Sequence, residues 1–211
     1  IDKEQYVFIC FMANEQIQLA YSPQRITGML SVFNGTNKAV SNNGKQVASE
    51  GSGVDSFEFW CPQRRPEGQN LALQLDTAIH FDVENIRNGI DRPTIKPNAW
   101  VADISDKEPV IQLSWDQPQS IQEMNLVFDT DTDHPMESVL MTHPETVMPF
   151  CVREYHIEDE QGVIVYQKKD NFQTINKIVF DKPVVTKELK VVVAHPSEQV
   201  AASIFSIRCY S

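Results

Sequence analysis

The chain has 211 residues and a formal net charge of −11, with 41% hydrophobic and 22% charged residues. This length and composition favour one folded domain, or a domain with an extension, and exclude a wholly disordered chain. The acidic balance argues against nucleic acid and anionic membranes as partners, because both would repel the chain. No apolar run approaches the ~18 residues of a membrane span.

The first 75 residues contain short apolar runs separated by one long polar stretch. Candidate strands cover residues 6–12, 17–21, 26–33, 57–60 and 71–75. Residues 34–53 are rich in Asn, Ser and Gly, which indicates a long loop. We predict a β-rich extension over 1–75 that packs on the following domain or completes its sandwich, because an isolated small sheet is only marginally stable.

From residue 76 onward, period-two apolar runs follow one another at short intervals. Candidate strands cover residues 111–115, 121–128, 163–166, 177–180, 189–194 and 204–210. Turn-forming residues occupy 116–118, 159–162 and 181–183 between them. Many short strands at this spacing predict an antiparallel sandwich or barrel over 76–211.

The densest group of carboxylates is Asp129, Asp131 and Asp133, followed by Glu137. Alternate acidic residues can supply the oxygen ligands that Ca²⁺ prefers, which makes the three aspartates a candidate structural calcium site. The spacing departs from the calcium-loop signature, which needs Gly at its sixth position and Glu at its twelfth. The alternative is a solvated strand end whose carboxylates accept hydrogen bonds from backbone amides.

The same segment carries His134 and His143, each directly before a proline. Two histidines beside acidic residues can bind zinc or transfer protons, but no third ligand and no nucleophile elbow accompany them. We therefore expect no catalytic residues in the chain. Residues 129–153 are instead predicted to form one long recognition loop, whose methionines suit burial against another domain.

Aromatic and arginine residues supply the ligand-binding candidates. Trp60 and Arg64 lie together, and a Trp can stack on a sugar face while an Arg binds hydroxyls or carboxylates. Trp115 is expected in the core, and a core position is also the alternative for Trp100, since inward-facing aromatics are typical of alternating strands. Because sandwich modules present recognition loops at one end, we predict a site formed by five further residues. These are Asn88, Arg92, Trp100, His134 and Arg153.

The four cysteines, at positions 10, 61, 151 and 209, are far apart and form no metal-knuckle spacing. Each has apolar or aromatic neighbours, which favours buried thiols. Two distant disulfides remain the alternative.

The order of features after residue 76 resembles the discoidin or coagulation factor V/VIII C-type family of galactose-binding-like sandwiches. The resemblance depends on the turn Asn88-Gly89, Trp100, the alternating run and proline turn of residues 111–118, and the closing strand 204–210. It implies an all-β, antiparallel jelly-roll β-sandwich over 76–211. Family members carry a ligand site at loops, and often a structural cation.

A second resemblance covers nearly the whole chain and is to the C-terminal region of large bacterial FAD-dependent oxidoreductases. Its segments are residues 22–28, 64–68, 131–138 and 148–153. The eight glycines form no G-x-G-x-x-G between a strand and a helix, so the chain lacks the flavin-binding motif. The resemblance thus implies an accessory tail without a cofactor of its own, while the parent protein binds FAD.

We therefore predict a non-catalytic accessory module that docks on a flavin-binding domain or a neighbouring subunit, or that shapes substrate access. The alternative is a carbohydrate-binding module with its site at the loop end. A metal-dependent enzyme using His134 and His143 is a third possibility. For a bacterial module of this kind, the periplasm or the extracellular space is favoured over the cytoplasm.

Overall fold

The computed structural model describes residues 16, 18, 20–24, 27, 70–71, 81–94, 96–130 and 148–211. In these residues the regular structure consists of β-strands and one 3-10 helix at Val83–Arg87. The strands are β1 Tyr21–Ser22, β2 Asn70–Leu71, β3 Trp100–Val101, β4 Val110–Phe128, β5 Tyr155–Asp159, β6 Ile164–Lys168, β7 Ile175–Val193 and β8 Ser203–Tyr210. No helix within this described part is long and apolar enough to cross a membrane. The predicted all-β class is confirmed.

All the strand pairs are antiparallel. β1 pairs with β2, and the other six strands form one sheet in the order β3-β8-β4-β7-β5-β6. β4 and β7 each have 19 residues, although strands usually have about 5–6. Each of them covers two strands that were predicted separately, 111–115 and 121–128 in β4, and 177–180 and all but the last residue of 189–194 in β7.

Two irregularities interrupt the long β4–β7 ladder and bend it. Between the pairs Ser114↔Glu188 and Gln119↔Thr186, residues 115–118 of β4 face the single residue 187 of β7. Between Ile121↔Val184 and Glu123↔Val179, residues 180–183 of β7 face the single residue 122 of β4. The segments 116–118 and 181–183, predicted as turns between strands, are therefore bulges within strands. Their prolines are tolerated because bulge residues leave the ladder unpaired.

The bend folds the sheet into two layers around one apolar core. The first half of β4 and the second half of β7 form one layer with β5 and β6. The remaining halves form the other layer with β8 and β3. Both layers contribute buried residues to the same cluster, among them Ile111, Tyr155, Ile157, Leu189 and Val191 from the first, and Met124, Leu126, Phe128, Ile178 and Ile204 from the second. The predicted sandwich is confirmed.

Folding at the bulges brings both ends of the long ladder to the same end of the sandwich. Phe128 is the last residue of β4 in one layer, and Tyr155 is the first residue of β5 in the other. Their ring centroids lie 5.1 Å apart. The amide of Ala194 donates to the carbonyl of Glu154 at 2.9 Å, and the amide of Phe128 donates to Thr174 at 2.8 Å. We call this end, with the described connections 102–109, 148–154, 169–174 and 194–202, the loop end.

Few residues of the predicted extension 1–75 belong to the described part of the chain. Thr27 is buried there, and its hydroxyl donates to Asp129 Oδ2 at 2.8 Å and lies 2.7 Å from Ser203 Oγ. Whether residues 1–75 as a whole form an extension packed on the sandwich stays a prediction. The candidate strands 6–12 and 57–60 and the polar segment 34–53 lie outside the described residues, as does 26–33 apart from Thr27.

Candidate functional site

Phe172 is the most exposed aromatic side chain at the loop end. It lies in the connection between β6 and β7, and 63% of its surface is exposed to solvent. Phenylalanine is among the residue types most often buried, and its ring carries a large apolar face, so this exposed ring is a candidate contact surface. The residues on either side of it hold the loop in this conformation.

Asn171 anchors the backbone just before Phe172. Its side chain is fully buried, and Nδ2 donates to the carbonyls of Val152 at 3.0 Å and Gln173 at 3.3 Å. Its Oδ1 accepts from the amide of Gln173 at 3.1 Å, while its own amide donates to Arg153 at 2.9 Å. These bonds fix the chain on both sides of residue 172 without using the Phe172 ring.

A second set of hydrogen bonds fixes the chain after Phe172. Asn176 is buried, accepts from the Tyr155 hydroxyl at 2.8 Å and donates through Nδ2 to Gln173 O at 2.9 Å. The hydroxyls of Thr130 and Thr174 also bond to each other. The loop conformation is therefore determined by polar contacts beneath it, and the aromatic ring remains directed away from the core.

Arg153 and Asp170 form an ion pair between the connections 148–154 and 169–174. Arg153 Nη2 lies 2.9 Å from Asp170 Oδ1, and 37% of the arginine side chain is exposed. Asp170 has a φ of 59°, in the left-handed region that Asp and Asn enter more readily than most residues. Arg153 Nε is buried and has no hydrogen-bond partner among the residues that the structure describes. The loop end thus offers an aromatic face, a carboxylate two residues before it, and a guanidinium paired with that carboxylate.

The described thiol nearest this group is not reactive at neutral pH. Cys151 is fully buried, and burial raises the pKa of its thiol to about 11. A nucleophilic cysteine requires the thiolate, which this environment disfavours. The same applies to Cys209, whose pKa burial also raises to about 11.

Three of the predicted ligand-binding residues lie together elsewhere, beside β8 and β3. Asn88 caps the 3-10 helix, and its Nδ2 lies 3.4 Å from Asn98 Oδ1. Asn98, at a φ of 52°, donates to the carbonyl of Arg92 at 3.1 Å. Trp100 is half-buried against the core. Asn88 and Arg92 thus meet through Asn98, which sequence reasoning did not select.

The group of Asn88, Arg92 and Trp100 is held beside β8, at a distance from the tips of the loop-end connections. Arg208 on β8 forms a bidentate pair with Asp91, at 2.7 and 2.9 Å. Arg208 pairs with Asn125, three residues before Phe128 at the end of β4, or about 10 Å along the strand. Within the described residues, no hydrogen bond or ion pair joins Arg153 to Asn88 or Arg92.

The remaining predicted site residues lie outside the described part of the chain, with one exception. His134, Trp60, Arg64, Asp131 and Asp133 are all outside it. Asp129 is described, is buried and accepts from Thr27, so at least one of its oxygens has a protein partner. No group of three or more His, Cys, Asp or Glu side chains suited to a metal occurs in the described ranges. The calcium site stays a prediction.

Sequence reasoning selected Arg153 but missed Phe172 and Asp170. One signal was present, because Phe172 is a single large apolar residue within the polar run Lys168-Lys169-Asp170-Asn171-Phe172-Gln173. An aromatic residue in such a connection either anchors the loop or is presented by it. Only the burial of Asn171 beside it distinguishes these two cases.

Comparisons with known proteins give similarity to solved structures alone. No protein-family model matches the chain, and no curated protein matches it. The chain is similar to the family 32 carbohydrate-binding module of Streptococcus pneumoniae EndoD, at 14% identity and a TM-score of 0.47, over 65% of this chain and 90% of the other. It is also similar to the family 32 module of C. perfringens NanJ, solved with galactose, at 15% identity and a TM-score of 0.42, over 60% and 82% of the two chains.

A third similar structure is CBM32-1 from a family 31 glycoside hydrolase of Clostridium perfringens. It shares 12% identity at a TM-score of 0.44, over 64% of this chain and 87% of the other. Identities and scores at this level assign no ligand to the present chain. None of these three proteins supports the resemblance to FAD-dependent oxidoreductases, which stays a prediction.

Proposed function

We propose that the chain is a non-catalytic carbohydrate-binding module whose site is the loop end around Phe172, Arg153 and Asp170. The observation that carries the proposal is the exposed Phe172 ring on a loop held by buried hydrogen bonds. The flavin-dependent parent protein expected from the sequence has no structural observation in its favour.

Sugar rings combine an apolar C–H face with a rim of hydroxyl groups. The exposed Phe172 ring can stack on the apolar face. The guanidinium of Arg153 donates hydrogen bonds and the carboxylate of Asp170 accepts them. The pair can therefore bind sugar hydroxyls that act as acceptors and sugar hydroxyls that act as donors. The side chains thus match both parts of a sugar surface.

The loop is ordered by its own hydrogen bonds, so a ligand does not have to supply the free energy of ordering it. One stacked ring and two or three hydrogen bonds correspond to weak binding of a monosaccharide, with a dissociation constant on the order of 1 mM. An oligosaccharide that contacts more of the loop end is expected to bind more tightly.

A second candidate function is docking against a protein domain, the accessory role expected from the sequence. It is favoured by the exposed apolar side chains beside the site, since Met148 is 41% exposed and Ile175 is 62% exposed. The apolar segment 136–150, on which that expectation depended, lies mostly outside the described residues. Of its described members, Met148 is exposed and Phe150 is buried.

The test is a titration of the ¹⁵N-labelled chain with a panel of neutral and acidic mono- and oligosaccharides. We expect one sugar class to shift the amides of residues 170–174 and 152–154. Phe172→Ala should weaken that binding at least about tenfold, the loss of one stacking contact, while Phe172→Tyr should retain it. Ile175→Ala is the matched control, because it removes an equally exposed apolar side chain beside the site.

The proposal fails if no sugar shifts these amides, or if Phe172→Ala and Ile175→Ala weaken binding equally. Failure with the whole panel would leave docking as the better explanation of the exposed ring.

A further inference from the structure

His195 joins two connections at the loop end through both of its ring nitrogens. Nδ1 accepts the amide hydrogen of Ala202 at 3.0 Å, and Nε2 lies 2.7 Å from the carbonyl oxygen of Asp106. A carbonyl oxygen only accepts and an amide only donates, so the hydrogen is on Nε2 and Nδ1 carries none. The two contacts together require the neutral imidazole.

The neighbouring contacts between these connections do not depend on protonation. The amide of Ala102 donates to the carbonyl of Ala202 at 2.9 Å, and the amide of Val193 donates to Pro109 at 3.0 Å. These are backbone bonds, whereas the contact through His195 depends on a side chain that titrates. Because the His195 ring is only half-buried, protons can reach it from solvent.

Acidic groups predominate around the ring. The backbone amide and the hydroxyl of Ser105 donate to Asp103 Oδ1 at 2.8 and 2.7 Å. These two bonds lower the pKa of Asp103, so this carboxylate stays charged in mild acid. The other charged side chains on the two connections that His195 joins are Asp106, Lys107, Glu108 and Glu198, and the connection 148–154, which bonds to Ala194, adds Arg153 and Glu154.

We propose that His195 is a pH-dependent tie between the connections 194–202 and 102–109. A second proton on Nδ1 places two N–H groups against each other, so the bond to Ala202 breaks and the imidazolium turns toward the Asp103 carboxylate. Histidine side chains change charge between about pH 5 and 8. The tied state binds fewer protons than the released state, so acid favours release and neutral pH favours the tie.

Release at His195 affects the backbone beside the proposed ligand site. The amide of Ala194 donates to the carbonyl of Glu154 at 2.9 Å, and Glu154 directly follows Arg153. Loosening 194–202 therefore loosens one support of the Arg153 backbone. This consequence for ligand binding rests on the proposed function, whereas the tie itself does not.

The test is hydrogen exchange of the full chain without ligand at about pH 7.5 and about pH 5.5, on either side of the usual histidine titration. Protection factors remove the intrinsic effect of pH on exchange. The Ala202 amide should lose roughly fivefold or more of its protection in acid, the equivalent of one net hydrogen bond. The amides of Ala102 and Val193 should keep theirs, because their acceptors do not titrate.

Two histidine variants make the test specific. His195→Gln retains one donor and one acceptor but cannot titrate, so Ala202 protection should no longer depend on pH. His156→Gln is the matched control, because His156 bonds Glu158 within β5 and should leave the Ala202 response unchanged. If His195→Gln does not fold, ¹⁵N spectra of the wild-type imidazole should show Nε2–H at neutral pH and a second proton at Nδ1 in acid.

The tie is refuted if Ala202 protection is the same at both pH values, if the response persists in His195→Gln, or if Nδ1 carries the hydrogen at neutral pH. Each readout is made without sugar. The tie can therefore fail while the sugar titration succeeds, and the sugar titration can fail while the tie is confirmed.

Discussion

Replacing the buried Asn171 by alanine should strongly destabilise the protein although the side chain is small. The change removes three donated bonds, to Val152 O, Gln173 O and Cys151 Sγ, and one accepted bond from Gln173 N. Each such bond contributes about 1 kcal/mol net, and a buried partner left unpaired costs about 1–3 kcal/mol. Since Gln173 O keeps its bond from Asn176, we expect a loss of about 2–4 kcal/mol in the free energy of unfolding.

The assay is urea unfolding at neutral pH, with the midpoint and the slope m measured for each variant. An unchanged m with a lower midpoint reports a change in stability alone. Asn171→Asp is the matched variant, because it keeps the shape but replaces the donating amide with a carboxylate facing two carbonyl oxygens. It should destabilise at least as much as alanine at neutral pH and partly recover in acid, where a protonated carboxyl can donate.

Phe172→Ala is the contrasting variant, because its ring is largely exposed and contributes little buried area. Its unfolding free energy should change by less than about 0.5 kcal/mol. A change of less than that amount in Asn171→Ala would show that the hydrogen bonds beneath the loop do not hold it. A loss in Phe172→Ala as large as in Asn171→Ala would show that packing of the Phe172 ring holds the loop.

Further predictions concern three described groups away from the Phe172 ring. A double-mutant cycle on Asp91 and Arg208 should give a coupling of about 0.5–1 kcal/mol that falls with added salt, because the pair is partly exposed; no measurable coupling would contradict it. Mass mapping should show that iodoacetamide at about pH 8 leaves Cys151 unmodified until the chain unfolds, since burial raises its pKa to about 11; labelling of the native chain would contradict it. Tyr155→Phe should lose about 1–3 kcal/mol in urea unfolding by leaving Asn176 Oδ1 unpaired. Burial is the main cause of the raised pKa of Tyr155, and the neighbouring Tyr166 is the second. The contribution of Tyr155 to stability should therefore be present below about pH 10 and be lost as the pH rises above it. A Tyr155→Phe variant as sensitive to alkali as the wild type would contradict the assignment of this alkaline loss to Tyr155.

Local patterns in the sequence were enough to predict most of the described strands. Alternation over 111–115 and 121–128 places Ile111, Met124 and Leu126 in the core, as expected for strands with one buried face. The turn at residues 159–162 was also predictable, because Asp159 accepts from the amides of Gln161 and Val163 and Gly162 has a φ of 76°. Both features depend on residues within a few positions of each other.

The segments 116–118 and 181–183 could not be assigned correctly from sequence. Asp, Gln, Lys and Pro occur both in turns that end strands and in bulges that interrupt them. Which of the two forms depends on whether the partner strand continues past the interruption, and that partner is about 60 to 70 residues away along the chain. The first bulge has three extra residues on β4 and the second has three on β7, so the two shifts in pairing register cancel along the ladder. This cancellation is a property of the paired strands and is not visible in either segment alone.

The loop-end site shows the same division between local and long-range information. Arg153 was selected as a ligand-binding residue, but its partner Asp170 is 17 residues away, beyond the β5–β6 hairpin. Asn88 and Arg92, in contrast, are close in sequence and meet through the neighbouring Asn98. Contacts within a connection are visible in the sequence, whereas contacts between connections need the fold.

The sequence by itself determined the all-β class, the apolar faces of the strands and the local turns, since each depends on residue periodicity and backbone preference over a few residues. The tertiary structure alone decided that two 19-residue strands bend into both layers, and that Asn171 is buried while Phe172 beside it is exposed. The physical reason is that burial and hydrogen-bond partners belong to pairs of segments. A residue's own chemistry does not specify which distant backbone will lie beneath it.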